Sequence, residues 1–363
     1  MACGAMSQTG GTLLEWVIGI SLNAFLVLLV MLGIGASRDT LEHNQQRAQL
    51  MDRGRFVRAV ISEDLVNASG HLPCASAHQD HPQLTLTDVI SDLPWLRFDT
   101  AVWGIEAPGT QPKSGWRLAG TSGDISAVDR QLPSSVVKLL DPQSDVLIAF
   151  HHQAYPSAQV ASADPNGVGL TQAVDSRECG IWLISDCSQT VIFQDARRHT
   201  GTLGWEPGSC TPGNRSIQAP LSAPTWRTNE HMAVYGWLAK AWFVGRNADG
   251  QRVLYRALFR KGTAGIQIDE MARGIETLQV EYGVSGLGKP MRWQAADRVA
   301  QWPMVRAVRF GVVVSTGGSP VSNGLIRDRT LGVLSSKIEW TDGVRLAASF
   351  DGAQALHTQT VGL

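Results

Sequence analysis

Hydrophobic positions follow two different patterns along this chain. From Trp16 to Ala36 it reads WVIGISLNAFLVLLVMLGIGA, with no Lys, Arg, Asp or Glu. At about 1.5 Å per residue this run makes a helix roughly 30 Å long, the thickness of a bilayer's hydrocarbon core. A helix apolar on every face predicts a membrane segment rather than a one-sided core helix. The rival reading is a cleavable secretory signal, which needs a positively charged start and a short apolar stretch. Met1–Gly10 carries no Lys or Arg, and the run is long for such a stretch. The pattern therefore predicts a retained single-span anchor over residues 16–36.

Beyond Ala36 the chain turns polar but keeps a helical rhythm. Ser37–Asn67 places Leu50, Met51, Phe56, Val57, Val60, Ile61 and Leu65 at spacings mostly of three and four, between residues that favour helix. One helix from Thr12 to Val66 is expected, roughly 80 Å long by the helical rise. Its second half would pack one stripe on a globular head, leaving the arginines on a solvated face. Gly54 is the expected site of a bend.

Near Gly70 the rhythm changes to short runs punctuated by Gly, Pro, Ser and Asp, the signature of a β-rich domain. Strands are expected at Asp145–Phe150, Ile181–Ile184, Val191–Phe193, Ala233–Val244, Val253–Phe259, Ile275–Val284 and Val305–Val314. Two hairpins follow: one across Ser185–Thr190, the other across Gly245–Gly250, where Asp249-Gly250 supports positive φ. Val308, Phe310, Val312 and Val314 share one face, as do Leu278, Val280 and Tyr282. Arg345–Leu363 reads as one or two terminal strands, and residues 105–135 and 155–176 as loops. The fold class is α+β: a long N-terminal transmembrane α-helix packed on a β-rich globular head of antiparallel strands.

Composition narrows the function classes. Lys and Arg number 31 against 32 Asp and Glu, so the basic excess of a nucleic-acid binder is missing. A hydrophobic fraction of 44% excludes wholesale disorder. Of the five cysteines, Cys3 precedes the apolar run, and Cys74, Cys179, Cys187 and Cys210 fall in the head. An even number outside the cytoplasm predicts disulfides, with three pairings open. Hairpin spacing favours Cys179–Cys187, leaving Cys74–Cys210 as the second pair. Closely spaced ligand pairs such as C-x2-C do not occur, so no metal is expected. His151 and His152 would point to opposite faces of a strand, a poor chelating pair. Asp164-Pro165-Asn166-Gly167 reads as a turn. No nucleophile elbow or dinucleotide loop is complete, so neither catalysis nor a cofactor is expected.

The most specific local feature is the carboxylate at the mouth of the apolar run. Gly10-Gly11-Thr12-Leu13-Leu14-Glu15 puts one charge beside a membrane segment, where a charge is costly and by default functional. Capping of the first helical turn is the plainer role. Gly-x-Thr-Leu-Leu-Glu followed by about twenty apolar residues resembles the class III signal of type IV pilins and pseudopilins. The resemblance implies cleavage by a prepilin peptidase between Gly10 and Gly11, methylation of Gly11, and pairing of Glu15 with a neighbouring subunit's N-terminal amine. Gly11 stands where that family usually has Phe.

Further blocks narrow the likeness. DRGRFVRAVISEDL (52–65), YGWLAKAWFVGRNADGQRVLYRALFRKG (235–262), ARGIETLQVEYGV (272–284) and MVRAVRFGVVVST (304–316) are similar, in order and spacing, to PilW-type minor pilins. So is Ile184-Ser185-Asp186-Cys187 leading into Val191-Ile192-Phe193-Gln194. This resemblance implies three parts: a leader over 1–10, a pilin helix over 11–67, and a periplasmic or extracellular head over 68–363. It also implies a single-pass inner-membrane precursor that enters the pilus and helps prime its assembly, with twitching motility and adhesion as outcomes. Implied partners are other minor pilins, the major pilin, the prepilin peptidase, the inner-membrane assembly machinery and the lipid bilayer. Two rivals remain: a type II secretion pseudopilin, and a single-span periplasmic enzyme or binding module.

Overall fold

The computed structural model describes residues 13–68, 85–88, 97–107, 132–141, 144–164, 167–174, 179–185, 189–196, 201–206, 210, 213–214, 232–259, 266–286, 288–315, 327–328, 347–348 and 354–363. It opens with α1 (Leu13–Val66), 54 residues without a break. Within α1, Trp16–Gly35 is long and apolar enough to cross a membrane, and none of it is buried by the rest of the chain. The helix runs unbroken through Gly54, the expected bend, and that glycine is buried.

The polar half of α1 meets the head along a narrow stripe. Leu50, Val57, Ile61 and Leu65 are buried, at spacings of seven, four and four that keep them on one face. Each contributes about 2 kcal/mol by leaving water. Met51 and Phe56, which belong to the same apolar rhythm, are 46% and 45% exposed. The buried stripe is thus narrower than the sequence periodicity implies.

The head consists of strands β1 (Thr85–Asp88), β2 (Val102–Ile105), β3 (Val146–Asp164), β4 (Gly167–Leu170), β5 (Ile181–Ser185), β6 (Gln189–Gln194), β7 (Thr202–Gly204), β8 (Ala233–Arg246), β9 (Arg252–Phe259), β10 (Gln267–Arg273), β11 (Ile275–Val284), β12 (Arg292–Gln294), β13 (Val305–Ser315), β14 (Arg327–Asp328), β15 (Ala347–Ala348) and β16 (Gln354–Gly362). Ten of these form one sheet, ordered β1-β6-β5-β8-β3-β4-β7, with β9 and then β10 continuing from β8 and β2 lying on β3. A second sheet has the order β12-β11-β13-β16, and β14 pairs only with β15. Pairing is antiparallel except between β1 and β6, which run parallel.

Several strands follow from pattern alone. Asp249 and Gly250 lie in the β8–β9 turn, where Gly250 has φ +74°, a left-handed conformation that glycine adopts without penalty. Val308, Phe310, Val312 and Val314 are all buried, and the register sets Phe310 opposite Val280 and Val308 opposite Tyr282. The expected loop at 155–176 is corrected. Strand β3 continues to Asp164 because Gln159 pairs with Ala233 on β8, and β4 folds back on it through Asp164↔Gly167. Cross-strand pairing here overrides weak local propensity. Most of the other expected loop, 108–131, lies outside the described residues.

The main core fills the space between the two sheets. β11 packs against β8, β9 and β3, and α1 rests on β16, β13 and β10. Trp242, Phe243, Phe259, Tyr282 and Phe310 are fully buried there. A second cluster, built on Val168, Trp182, Ile184, Phe193, Leu203 and Trp205, fills the region of β4 to β7. Tyr282 reaches so far across the core that its hydroxyl would sit 1.9 Å from a β-carbon on Gly104. A side chain at position 104 on β2 therefore has no room.

Candidate functional site

Of the residues singled out from sequence, Glu15 lies in the first turn of α1, one position before the apolar segment Trp16–Gly35. Gly10, Gly11, Cys74 and Cys187 lie outside the described residues. Cys179 and Cys210 are joined in a disulfide, with Cα atoms 5.4 Å apart. This corrects the favoured Cys179–Cys187 pairing and, with it, Cys74–Cys210, since both described cysteines are spent on each other. Cys179 sits just before β5, and its φ of +65° is unusual for a residue with a side chain. Its N–H donates to Asp195 O at 3.0 Å, and its carbonyl accepts from Gln194 Nε2 at 3.0 Å. These bonds hold the turn at the far end of β5 from the hairpin, and there it meets Cys210. The bridge does not cross that hairpin, because Cys179 stands on the turn at the other end of β5.

The disulfide closes a loop of 31 residues around β5, β6 and β7. Chain-entropy reasoning makes such a closure worth about 3.7 kcal/mol. Cys210→Ser should therefore lower the urea-unfolding free energy of the head by about that amount. Non-reducing peptide mapping should return a Cys179–Cys210 linked peptide.

The joint between α1 and the head is a second polar centre, one that sequence reasoning missed. Asp64, 5% exposed in the last turn of α1, accepts from Lys240 Nζ on β8. Its other oxygen accepts from Trp242 Nε1 at 2.9 Å. His151 on β3 is buried beside this pair, and its Nδ1 lies 3.1 Å from Asn67 O, just past the helix end. The register Ala149↔Lys240 and His151↔Leu238 sets His151, Lys240 and Trp242 on one sheet face, with His152 on the other. Burial foremost, and then Lys240, push the His151 pKa from 6.5 down to about 4. About three helical turns earlier on α1, Arg53 Nη1 donates to Ser315 O at 3.0 Å, next to Gly274, whose φ is +74°. The sequence did carry a signal: Lys240 is the lone charge in AVYGWLAKAWFV, and Asp64 stands between Ile61 and Leu65.

Other charged clusters brace the strands. Arg252 spans Asp141 and Glu276 at 3.0 Å each. Arg309 pairs with Glu281 and lies 4.6 Å from the centre of the Trp293 ring. Among the described residues, no three His, Cys, Asp or Glu side chains converge as a metal site would.

Residues 241–363 match the family model of the type IV pilus-assembly protein W. The match supports a PilW-type pilus protein. No curated protein and no solved structure matches the chain. The PilW-type segment begins inside β8, immediately after Lys240, and takes in β9 to β16 and thus the whole second sheet. The sheet surface on which α1 rests is therefore largely PilW-type. The disulfide and the cluster around Trp182 precede the matched segment. The match, over that segment, supports involvement in type IV pilus assembly, and one exposed apolar helix is compatible with membrane anchoring.

Proposed function

We propose that the chain is a minor pilin, a structural subunit that helps prime pilus assembly. The observation that carries this reading is α1 itself. One end is a 20-residue apolar segment with none of its surface buried, and the other is locked to a head whose second sheet is PilW-type. An uncovered apolar rod on a folded head needs an apolar environment, either lipid or the packed helices of a filament. Passage between the two carries little hydrophobic penalty, because both are apolar.

In this reading residues 1–10 are a leader removed between Gly10 and Gly11, with Gly11 then methylated, and residues 11–67 form the pilin helix. The head, 68–363, faces the periplasm while the helix spans the inner membrane once, and it later joins the extracellular filament. Glu15 pairs with the N-terminal amine of a neighbouring subunit, which sets the register of entry. Other minor pilins, the major pilin, the prepilin peptidase and the inner-membrane assembly machinery are the partners. Twitching motility and adhesion are the outcomes. The role rests on association rather than turnover.

The test joins two measurements. Mass spectrometry of the mature protein should find a methylated Gly11, and an intact Met1 would overturn the reading. A Glu15→Ala strain should still insert and process the protein but make at least several-fold fewer pili by electron microscopy. Normal piliation would refute the role given to the carboxylate.

A further inference from the structure

The joint between α1 and the head has two anchors of different chemistry. The Arg53 guanidinium donates to a backbone carbonyl, Ser315 O, at 3.0 Å, and an arginine keeps its charge at any pH a protein tolerates. The anchor at the helix end contains an imidazole. Asn67 O can only accept, so His151 Nδ1 must carry the proton in their 3.1 Å contact. Neutral His151 then presents a bare Nε2, which is buried with no hydrogen-bond partner among the described residues. Two charged groups face the ring: Asp64 from α1 and Lys240 from β8. They are already engaged with each other, and Asp64 also accepts from Trp242 Nε1.

Protonating Nε2 would place a buried N–H donor where no acceptor waits, beside the ammonium of Lys240. Among the described residues, the anion that faces the ring, Asp64, is already shared between two donors. A buried donor without a partner and a buried like-charge contact both oppose this state. Relief comes when the helix end lifts and the ring reaches water. We propose that the Asp64–Lys240–His151 cluster is an acid-release latch: protonation of His151 frees the last turns of α1 from β3 and β8, while the Arg53–Ser315 anchor holds. Acid would then loosen the angle between head and helix without detaching the two.

The sign follows from linkage. Folded His151 titrates at about 4 rather than 6.5, so the closed state binds fewer protons than the open one. The stabilisation is complete above pH 6.5 and is lost progressively as pH falls towards 4. At pH 5 the opening equilibrium should rise about 30-fold relative to pH 7.5.

The test is hydrogen exchange on the full-length protein in detergent micelles, corrected for the intrinsic pH dependence of exchange. Between pH 7.5 and 5, amides of residues 60–66 should open about 30-fold more, while those of residues 50–57 stay protected. His151→Asn keeps a donor for Asn67 O but cannot take up a proton, and it should flatten the response. Unchanged protection of 60–66 in the parent protein would overturn the latch, as would an identical acid response in His151→Asn. Should that variant misfold, an NMR titration of the His151 ring in the parent protein decides. A midpoint near 4, coincident with helix-end opening, supports the latch, and one near 6.5 with the helix end protected refutes it.

Discussion

Asp145→Ala should lower the unfolding free energy of the head by about 4 kcal/mol. Asp145 is 1% exposed, and it stands where three chain segments cross. Its Oδ1 accepts from Ala107 N at 3.1 Å, its Oδ2 from Val280 N at 2.8 Å, and its own N–H donates to Leu278 O at 3.0 Å. One carboxylate thus ties the chain after β2 and the start of β3 to the middle of β11, across the two sheets. Alanine removes the carboxylate acceptor of two buried N–H groups, at about 1–3 kcal/mol each, and bonds to a charged acceptor lie towards the upper end. Asp145→Asn retains one acceptor oxygen, so about half the loss is expected. Urea denaturation followed by tryptophan fluorescence measures both. A loss below 1 kcal/mol for alanine would mean that the sheets are held together by apolar packing alone.

Asp64→Ala should cost about 3 kcal/mol, felt first at the helix–head joint. Removing one member of a buried pair strands the other, and here Trp242 Nε1, on a fully buried ring, loses its acceptor as well. The Lys240 side chain keeps 20% of its surface in water, so its ammonium can partly re-solvate, and the figure belongs at the low end of the buried range. Pairing Asp64→Leu with Lys240→Met should recover only part of the loss, because it strands no charge but still leaves Trp242 Nε1 without its acceptor. A double-mutant cycle on thermal unfolding would measure the coupling. Simple additivity of the two single substitutions would show that the ion pair contributes nothing.

The elements readable from sequence are those whose signal is local. The charge-free run to Ala36, the Asp249-Gly250 turn and the alternation of Val308, Phe310, Val312 and Val314 each declare themselves within a few residues. What stayed hidden depends on partners far along the chain. Strand β3 beyond Tyr155 is held by β8 and β4, not by its own Ser- and Ala-rich sequence. Strand β10 (QIDEMAR) has no apolar alternation, and it forms because β9 offers it an edge. Cys179 meets Cys210 rather than its near neighbour because the turn before β5 and not the hairpin after it faces the incoming chain. Phe56 and Met51 share the helical rhythm yet face away, since only the head decides which part of an apolar stripe is covered. The Asp64–Lys240 pair could be suspected from two charges in apolar surroundings, but nothing in the sequence couples a helix residue to a strand far downstream.

The docking of α1 has a consequence for biosynthesis. Helix α1 leaves the ribosome before β16, against which it packs, and about 290 residues of chain separate the two. Contacts of such long range form late and slowly. Until β16 zips onto β13, the stripe Leu50, Val57, Ile61 and Leu65 lacks part of its seat, and an exposed apolar stripe invites wrong partners. The nascent chain therefore carries an incompletely docked helix until β16 is made. That is the interval in which a chaperone could occupy the stripe first.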